Sequence, residues 1–221
     1  TDDPDEIRKQ IEFYFSDSNL YQDKYLFGLV KGSANRSVPL KTITSFKRMQ
    51  RFQPYSAVVA AMRESETLDL IEKTRPGEEE IVRKVPIEAM HGETQGEWFK
   101  SFEDSTKPRS IYAKGFGEET AKTQIEIEEF FARYGQVKAV RLRRTAQRVF
   151  KGSVFVEFDT PETQKEFLEM DEKPKWHGKQ LLIMSKEQYC ADKEADIKAG
   201  KLLPNPSYEK YQGDGKGGRG R

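Results

Sequence analysis

The segment after residue 108 carries the pattern that most restricts the fold of this chain. Its apolar residues switch between the twofold period of strands and the 3.6-residue period of helices. Strands are indicated at SIYAKGF, QVKAVRLR, GSVFVEF and QLLIMS, and helices at QIEIEEFFARYG and TPETQKEFLEM. Gly135 suits the end of the first helix, and Thr160 suits the N-cap of the second. The order β-α-β-β-α-β predicts a ferredoxin-like, four-stranded antiparallel sheet with helices on one face.

The first part of the chain predicts several short helices closed by a hairpin. Helical spacing places the helices at PDEIRKQIEFYF, at Asp23 to Val30 before Gly32, after Pro39 through ITSFKRMQ, and from about Ser56 to Glu64. LDLIE and EIVRKV indicate strands joined by a turn at RPGEE. Short helices followed by such a hairpin are typical of a winged helix. The expected fold class is therefore α/β (α+β), with a winged helix before the ferredoxin-like domain.

The 221 residues have room for two domains. The pattern places the winged helix at residues 1–86 and the ferredoxin-like domain at 109–185. Residues 87–108 have no sustained period and are interpreted as a linker. Residues 186–203 are rich in helix formers and predict a C-terminal helix. Residues 204–221 end in GDGKGGRGR and are expected to be a disordered, basic, glycine-rich tail.

Charge is segregated along the chain, although the net charge is only +1. Residues 24–63 contain eight Lys or Arg, residues 130–156 contain seven, and neither window contains Asp or Glu. One such window alone is usually a solvated face. One window in each predicted domain favours a polyanionic partner.

Composition also argues against several classes of protein. No run approaches the roughly 20 apolar residues that span a bilayer, so no membrane association is expected. The acidic start TDDPDEI is unlike a signal peptide, which favours a nuclear or cytosolic location. Cys190 is the single cysteine, so the sequence offers no internal disulfide and no cysteine-based zinc cluster. The histidines, His91 and His177, lie in the predicted linker and a loop, and no catalytic motif accompanies them. We expect no enzyme activity, no cofactor and no metal site.

Two strands of the second domain resemble the signatures of the RNA recognition motif (RRM). Residues 151–158, KGSVFVEF, resemble its octamer, and residues 111–116, IYAKGF, resemble its hexamer. Strand alternation places Val154, Val156 and Phe158 in the core, and Tyr112 and Phe155 on the open face of the sheet. Exposed rings there would stack unpaired bases. The alternative is that the trailing helix covers them, and Ser153, in place of the usual aromatic residue, also weakens this face.

The first predicted helix carries a large aromatic ring outside the stripe of residues that faces the core. Ile7, Ile11, Phe15 and Tyr14 form that stripe, whereas Gln10 and Phe13 fall outside it. A ring outside the stripe is often packed elsewhere in the domain. It is also available to a ligand.

The run QIEFYFSDSNLYQDKYL, followed by VPLKTITSFKRMQRF, closely resembles the La motif. With an RRM behind it, residues 5–200 resemble the La module of the genuine La family. The segment RRTAQRVFKGSVFVEF is similar to that family, including the serine in the octamer. Lys47 stands where animal members usually have asparagine, which favours a fungal or other non-animal type.

The resemblance implies recognition of RNA that ends in UUU with a free 3′ hydroxyl, in a cleft between the two domains. It implies precursor tRNAs and other small RNAs as ligands, a monomer, and a nuclear protein that shuttles to the cytoplasm. The positions matching RNA-contacting residues of the family are Gln10, Phe13, Tyr14, Asp23, Tyr25, Phe46, Arg48 and Val140. Further candidates are Asn19, Lys47, Tyr112, Phe155, Arg143 and Lys151.

Asp23 is unexpected in a protein that binds a polyanion. The terminal ribose of an unmodified RNA carries a 2′,3′ diol, and a carboxylate can accept a hydrogen bond from each hydroxyl. An internal ribose lacks the free pair, and a 3′ phosphate would repel the carboxylate. Alternatively, Asp23 only caps the helix that follows it.

Two other functions remain open. A winged helix of this charge is also compatible with duplex DNA, which the basic segment TSFKRMQR would contact. A La-related protein dedicated to one RNA, or to poly(A), would share most of the motifs.

Overall fold

The computed structural model describes residues 1–90 and 94–203. The chain divides into two compact units, Thr1–Phe99 and Lys100–Arg221. The tail predicted for residues 204–221 and His91 lie outside the described residues. No helix in the described part of the chain is long and apolar enough to cross a membrane.

The first unit is a set of short helices against a small antiparallel sheet, as the winged-helix prediction requires. The sheet has the strand order β1-β3-β2. In chain order the elements are α1 (Pro4–Phe15), α2 (Asp17–Leu20), α3 (Lys24–Val30), β1 (Val38–Pro39), α4 (Leu40–Thr44), α5 (Tyr55–Arg63), β2 (Leu68–Ile71) and β3 (Glu80–Arg83). The predicted hairpin is confirmed, because Leu70 pairs with Ile81 in the antiparallel β2–β3 ladder.

Helix α1 forms where its capping residue and apolar stripe predict. The Asp3 side chain accepts hydrogen bonds from the backbone N–H groups of Asp5 and Glu6, at 2.9 and 3.1 Å. Ile7 and Ile11 are fully buried, as the stripe predicts. The capping bonds satisfy N–H groups that have no partner inside the helix.

The helix predicted through ITSFKRMQ is wrong beyond Thr44. The hydroxyl of Ser45 donates to the Thr42 carbonyl at 2.7 Å. The Phe46 N–H then bonds the Ile43 carbonyl at 3.1 Å, which closes a tighter turn than an α-helix. Hydroxyl side chains that bond nearby carbonyls compete with the helical ladder in this way. Phe46 and Arg48 consequently lie in turns rather than on a helix.

The first unit continues past the predicted boundary at residue 86. Ile87 is buried, and the Tyr21 hydroxyl donates to the Glu88 carbonyl at 2.7 Å. Sequence periodicity does not predict α6 (Gln95–Thr106), which lies in the segment interpreted as a linker. Within the first unit, Trp98 of α6 packs edge-on against Phe27, with ring centroids 5.6 Å apart.

The second unit has the predicted β-α-β-β-α-β order. Its main sheet is antiparallel, with strand order β5-β6-β4-β9. The elements are β4 (Ser110–Lys114), α7 (Thr123–Ala132), β5 (Val137–Arg144), β6 (Phe150–Phe158), α8 (Pro161–Glu169), a short hairpin of β7 (Lys175–Trp176) and β8 (Lys179–Gln180), and β9 (Leu182–Ser185). Thr160 caps α8 as predicted, because its hydroxyl accepts from the Thr163 N–H at 3.1 Å.

The core of the second unit lies between the sheet and helices α7 and α8. Val154, Val156 and Phe158 are fully buried there, which confirms the alternation read from the octamer. The C-terminal helix α9 (Lys186–Lys198) is also confirmed, although it ends earlier than residue 203. Gly200 follows the helix with φ +70°, a left-handed conformation that glycine adopts without strain.

One buried carboxylate ties β6 to β5 and to the turn just before β4. The Glu157 side chain is only 2% exposed, and its two oxygens lie 3.0 and 3.3 Å from guanidinium nitrogens of Arg109 and Arg141. A carboxylate removed from water needs such partners to remain ionised at low cost. The two arginines keep about a quarter of their side chains in solvent.

We expect Glu157→Gln to lower the free energy of unfolding of the second unit by about 3 kcal/mol. The change leaves two arginine side chains packed around a neutral amide, and loss of one partner of a buried pair typically costs this much. Urea unfolding followed by NMR signals of β6 measures the effect. Glu169→Gln is the matched control, because its 3.8 Å pair with Lys165 is largely exposed and should contribute less than about 0.5 kcal/mol. Equal losses in both variants would contradict the role given to Glu157.

Candidate nucleic-acid interface

Three aromatic side chains of the first unit meet next to Asp23. Tyr14 comes from α1, Tyr25 from α3 and Phe46 from the turn after α4. The ring of Phe46 lies 5.1 Å from Tyr14 and 6.1 Å from Tyr25, edge-on to both. Phe13 extends the group at 6.4 Å from Tyr14. We call these four rings the aromatic patch.

The aromatic patch keeps part of its surface in solvent. Tyr25 is 59% exposed, which is unusual for a ring of this size, and Phe13, Tyr14 and Phe46 are half-buried. Packing in the core therefore does not bury these rings completely. Exposed rings with fixed neighbours can stack or wedge unpaired bases without first being ordered.

Asp23 lies at the start of α3 and caps it. Its Oδ1 accepts a hydrogen bond from the Leu26 N–H at 3.0 Å. The prediction that Asp23 caps the following helix is therefore confirmed. An ionised carboxylate has about four acceptor positions, so one capping bond leaves the other oxygen available to a ligand.

The charges around Tyr14 show which groups share this region. Burial raises the pKa of the Tyr14 phenol above its ordinary value, Asp23 raises it further, and Arg48 and Arg51 oppose the rise. A carboxylate and two guanidinium groups thus act on the same ring. Arg48 and Lys47 are exposed, whereas Arg51 lies 3.3 Å from the Glu6 carboxylate and 4.5 Å above the Phe52 ring. The exposed cations are placed to attract phosphate.

Two amide side chains predicted to bind RNA lie near the same helix. Gln10 is half-buried on α1. The Asn19 side chain donates to the Tyr14 carbonyl at 2.9 Å. Asn19 therefore holds α2 against the end of α1, and its contact with RNA stays a prediction.

The sheet face of the second unit brings Tyr112, Phe155 and Arg143 together as the strand alternation predicts. Tyr112 pairs with Phe155 across β4 and β6, and their rings lie 5.8 Å apart. Tyr112 is nevertheless only 6% exposed. Tyr189 of α9 stacks on it, with ring centroids 4.2 Å apart and planes at 25°.

Cations complete the cover over this face. The Arg143 guanidinium lies between 4.9 and 5.4 Å from the ring centroids of Tyr112, Phe155 and Tyr189. The Lys186 ammonium lies 5.0 Å from the Phe155 ring and 3.1 Å from the Glu103 carboxylate. Each ring that would stack a base already has a partner within the protein. The covering helix, considered as an alternative above, is the arrangement observed.

Sequence reasoning identified the helix but missed Tyr189 and Lys186 as the residues that dock it. The available signal was that Tyr189 is the single aromatic residue of α9. Cys190 follows it and is half-buried. Burial raises the pKa of the Cys190 thiol, and Lys107 and Lys186 oppose that rise.

Val140 and Lys151, the other two predicted contacts of the second unit, differ in their exposure to solvent. Lys151 is exposed on β6. Val140 is 4% exposed and belongs to the core of the second unit, opposite Val156 in the β5–β6 ladder. Contact between Val140 and RNA stays a prediction. Because the Val140 side chain is buried, an exposed aliphatic surface is not available for that contact.

Comparison with known proteins identifies both units. A family model described as the La domain matches residues 7–64, and one described as the RNA recognition motif matches residues 111–181. Lupus La protein homolog B of Xenopus laevis is 35% identical over 87% of this chain and 42% of its own length. The La protein homolog of Drosophila melanogaster is 31% identical over 92% of this chain and 53% of its own length. La-related protein 7 of Danio rerio is 27% identical over 76% of this chain and 28% of its own length. The chain spans about half or less of the length of these relatives.

We expect Tyr189→Ala to loosen α9 from the sheet. The change removes the ring that stacks on Tyr112, at a cost of about 1–2 kcal/mol for a half-buried aromatic side chain. Amide hydrogen exchange in residues 190–198 should therefore become about tenfold faster, while β4 and β6 keep their protection. Gln188→Ala is the control, because Gln188 is exposed and the hydrogen bond described for its side chain is to Asp192 of the same helix, at 2.6 Å. Unchanged exchange in Tyr189→Ala would show that other contacts dock α9.

Proposed function

The chain carries a La domain followed by an RNA recognition motif, with La protein homologues 31% and 35% identical over most of its length, and from this premise we propose that it binds the 3′ end of RNA that terminates in oligo(U). The two domains and these relatives support an RNA-binding function of the La family. The preference for a UUU end with a free hydroxyl is the finer step, and the geometry around Asp23 supports it.

The placement of Asp23 beside the aromatic patch carries this proposal. A carboxylate repels the backbone of RNA, so a carboxylate among rings and cations suits a ligand group that offers hydrogen-bond donors. The 2′ and 3′ hydroxyls of a terminal ribose are two adjacent donors. Asp23 accepts both, with the lone pairs that its bond to the Leu26 N–H leaves unused.

This geometry selects among RNA ends. An internal ribose has its 3′ oxygen in a phosphodiester and cannot donate twice. A terminal 3′ phosphate places negative charge against the carboxylate. A finished 3′ end therefore binds better than an internal segment or a phosphorylated end.

The aromatic patch and the exposed cations supply most of the affinity. Stacking of a base on an aromatic ring contributes roughly 1–3 kcal/mol. Arg48 and Lys47 hold phosphates, and Gln10 is suited to a pyrimidine edge. Since Tyr189 covers Tyr112, the sheet face of the RRM is not the main stacking surface in this arrangement.

We assign the chain a protective role on small RNAs. A protein that encloses a 3′ terminus shields it from exonucleases, and nascent RNA polymerase III transcripts such as precursor tRNAs end in oligo(U). Binding of this kind needs no catalysis and no cofactor. The role in maturation and folding, the monomeric state and the nuclear location with cytoplasmic shuttling rest on the resemblance to the La family.

Duplex DNA is a weaker alternative for a structural reason. The basic segment that would enter a major groove, TSFKRMQR, forms turns after Thr44 instead of a helix. A La-related protein that serves one RNA or poly(A) remains the second candidate, since La-related protein 7 of Danio rerio matches 76% of the chain.

We expect Asp23→Ser to weaken binding of oligo(U) with a 3′ hydroxyl by roughly 30- to 150-fold. Serine keeps a capping oxygen for α3 but removes the charged acceptor, and a charge-assisted contact is worth about 2–3 kcal/mol. Fluorescence anisotropy with ends that carry a 3′ hydroxyl, a 3′ deoxy group or a 3′ phosphate measures the effect. In the wild type the two modified ends should bind weakly, and in the variant all three should bind alike.

Asp3→Ser is the matched control, because Asp3 caps α1 through the same kind of bond. It should leave RNA affinity unchanged. Wild-type binding that is equal for all three ends would refute the role assigned to Asp23.

Competition with duplex DNA tests the alternative separately. Oligo(U) should displace the chain from duplex DNA of equal length at low molar excess. Preferential retention of the duplex would exclude the proposed function.

A further inference from the structure

The resemblance predicts that Val140 contacts RNA, but the Val140 side chain is not exposed to do so. Val140 lies on β5, an outer strand of the RRM sheet, and its side chain belongs to the core. Only 4% of the residue is exposed. Any base that reaches this edge of the sheet must meet another group.

Gln124 covers the backbone carbonyl of Val140. It is the second residue of α7, and its Nε2 donates to the Val140 carbonyl at 2.8 Å. A carbonyl on an outer strand would otherwise face solvent or a ligand. The edge of β5 therefore presents the Gln124 amide at this point.

Glu128 fixes the orientation of that amide. The same Nε2 lies 2.6 Å from the Glu128 Oε1, one helical turn along α7. A carbonyl and a carboxylate are both acceptors, so only the NH₂ side of the amide can face them. Its two hydrogens are both used. The Gln124 Oε1 is left as an acceptor that points away from Val140 and Glu128, on a half-buried residue.

We propose that Gln124 Oε1 accepts the N3–H of a uracil and is a specificity-determining residue for the bound RNA. This inference rests on the proposed function and extends it to base selection. Uracil has a donor at N3, whereas N3 of cytosine and N1 of adenine are acceptors. An acceptor that cannot rotate therefore favours uracil and leaves two acceptors facing each other when cytosine takes its place.

An exposed cation on the strand side of Gln124 orients the nucleotide. Lys138 of β5, two residues before Val140, is exposed and attracts phosphate. The RNA backbone therefore runs on the strand side, and the base turns toward the helix. This arrangement presents the Watson–Crick edge of the base to the amide.

Oligo(U) with a 3′ hydroxyl and one substituted nucleotide tests the inference in the full chain. Cytidine or N3-methyluridine is placed at each of the last positions in turn, and affinities are measured by anisotropy. The wild type should have one position at which either substitution weakens binding by about tenfold. In Gln124→Leu that position should lose its preference, so that uridine and cytidine bind within about twofold of each other.

Glu128→Ala keeps Gln124 but removes one of the two acceptors that fix its amide, so the amide is held only by the Val140 carbonyl. The preference at the same position should fall to about threefold. Glu129→Ala is the matched control, because Glu129 is exposed on the same helix and should leave the preference at about tenfold. Circular dichroism confirms that each variant is folded.

Failure of this inference differs from failure of the proposed function. If the wild type binds a 3′ hydroxyl end selectively but Gln124→Leu keeps the full cytidine penalty at every position, the assignment to Gln124 is overturned alone. The same holds if no position of the wild type distinguishes cytidine from uridine. If the wild type does not select the 3′ hydroxyl, the proposed function falls first.

Discussion

Tyr189 stacks on Tyr112 across the sheet of the RRM, and this contact determines which surfaces RNA can reach. The two rings are 4.2 Å apart, and Arg143 and Lys186 close the remaining aromatic surface. A sheet covered in this way cannot offer its rings to bases unless the helix leaves. The aromatic patch of the La domain and the edge of the RRM sheet are therefore the surfaces that we propose for RNA.

The aromatic patch is prepared for binding before a ligand arrives. The hydrogen bond from the Leu26 N–H to Asp23 fixes the carboxylate, and edge-on contacts fix Phe46 against Tyr14 and Tyr25. Side chains that are already ordered lose little conformational entropy when RNA binds. The capping interaction of Asp23 thus also orients the carboxylate that we propose as the acceptor of the 3′ end.

Patterns that depend on local physics were predicted well from the sequence. The cap at Asp3, the stripe of α1 and the strand order of the RRM all follow from short-range periodicity. The end of α4 was missed because hydrogen bonds from hydroxyl side chains decide it, and periodicity does not record them. The burial of Val140 needed the register that places it opposite Val156, which a single strand does not reveal. The hydrogen bond of Gln124 was missed for the same reason, since its acceptor, the Val140 carbonyl, lies on another element.

Lys186 and Tyr189 in the first turn of α9 contact the rings of the sheet, and the single cysteine of the sequence follows Tyr189. Cys190 is half-buried beside Tyr189, and its pKa is raised there. Its thiolate is therefore scarce while the helix is seated, and it becomes available to an alkylating reagent when the helix lifts. No other cysteine competes for the reagent. The rate at which Cys190 is alkylated therefore reports how often the helix opens the RRM surface.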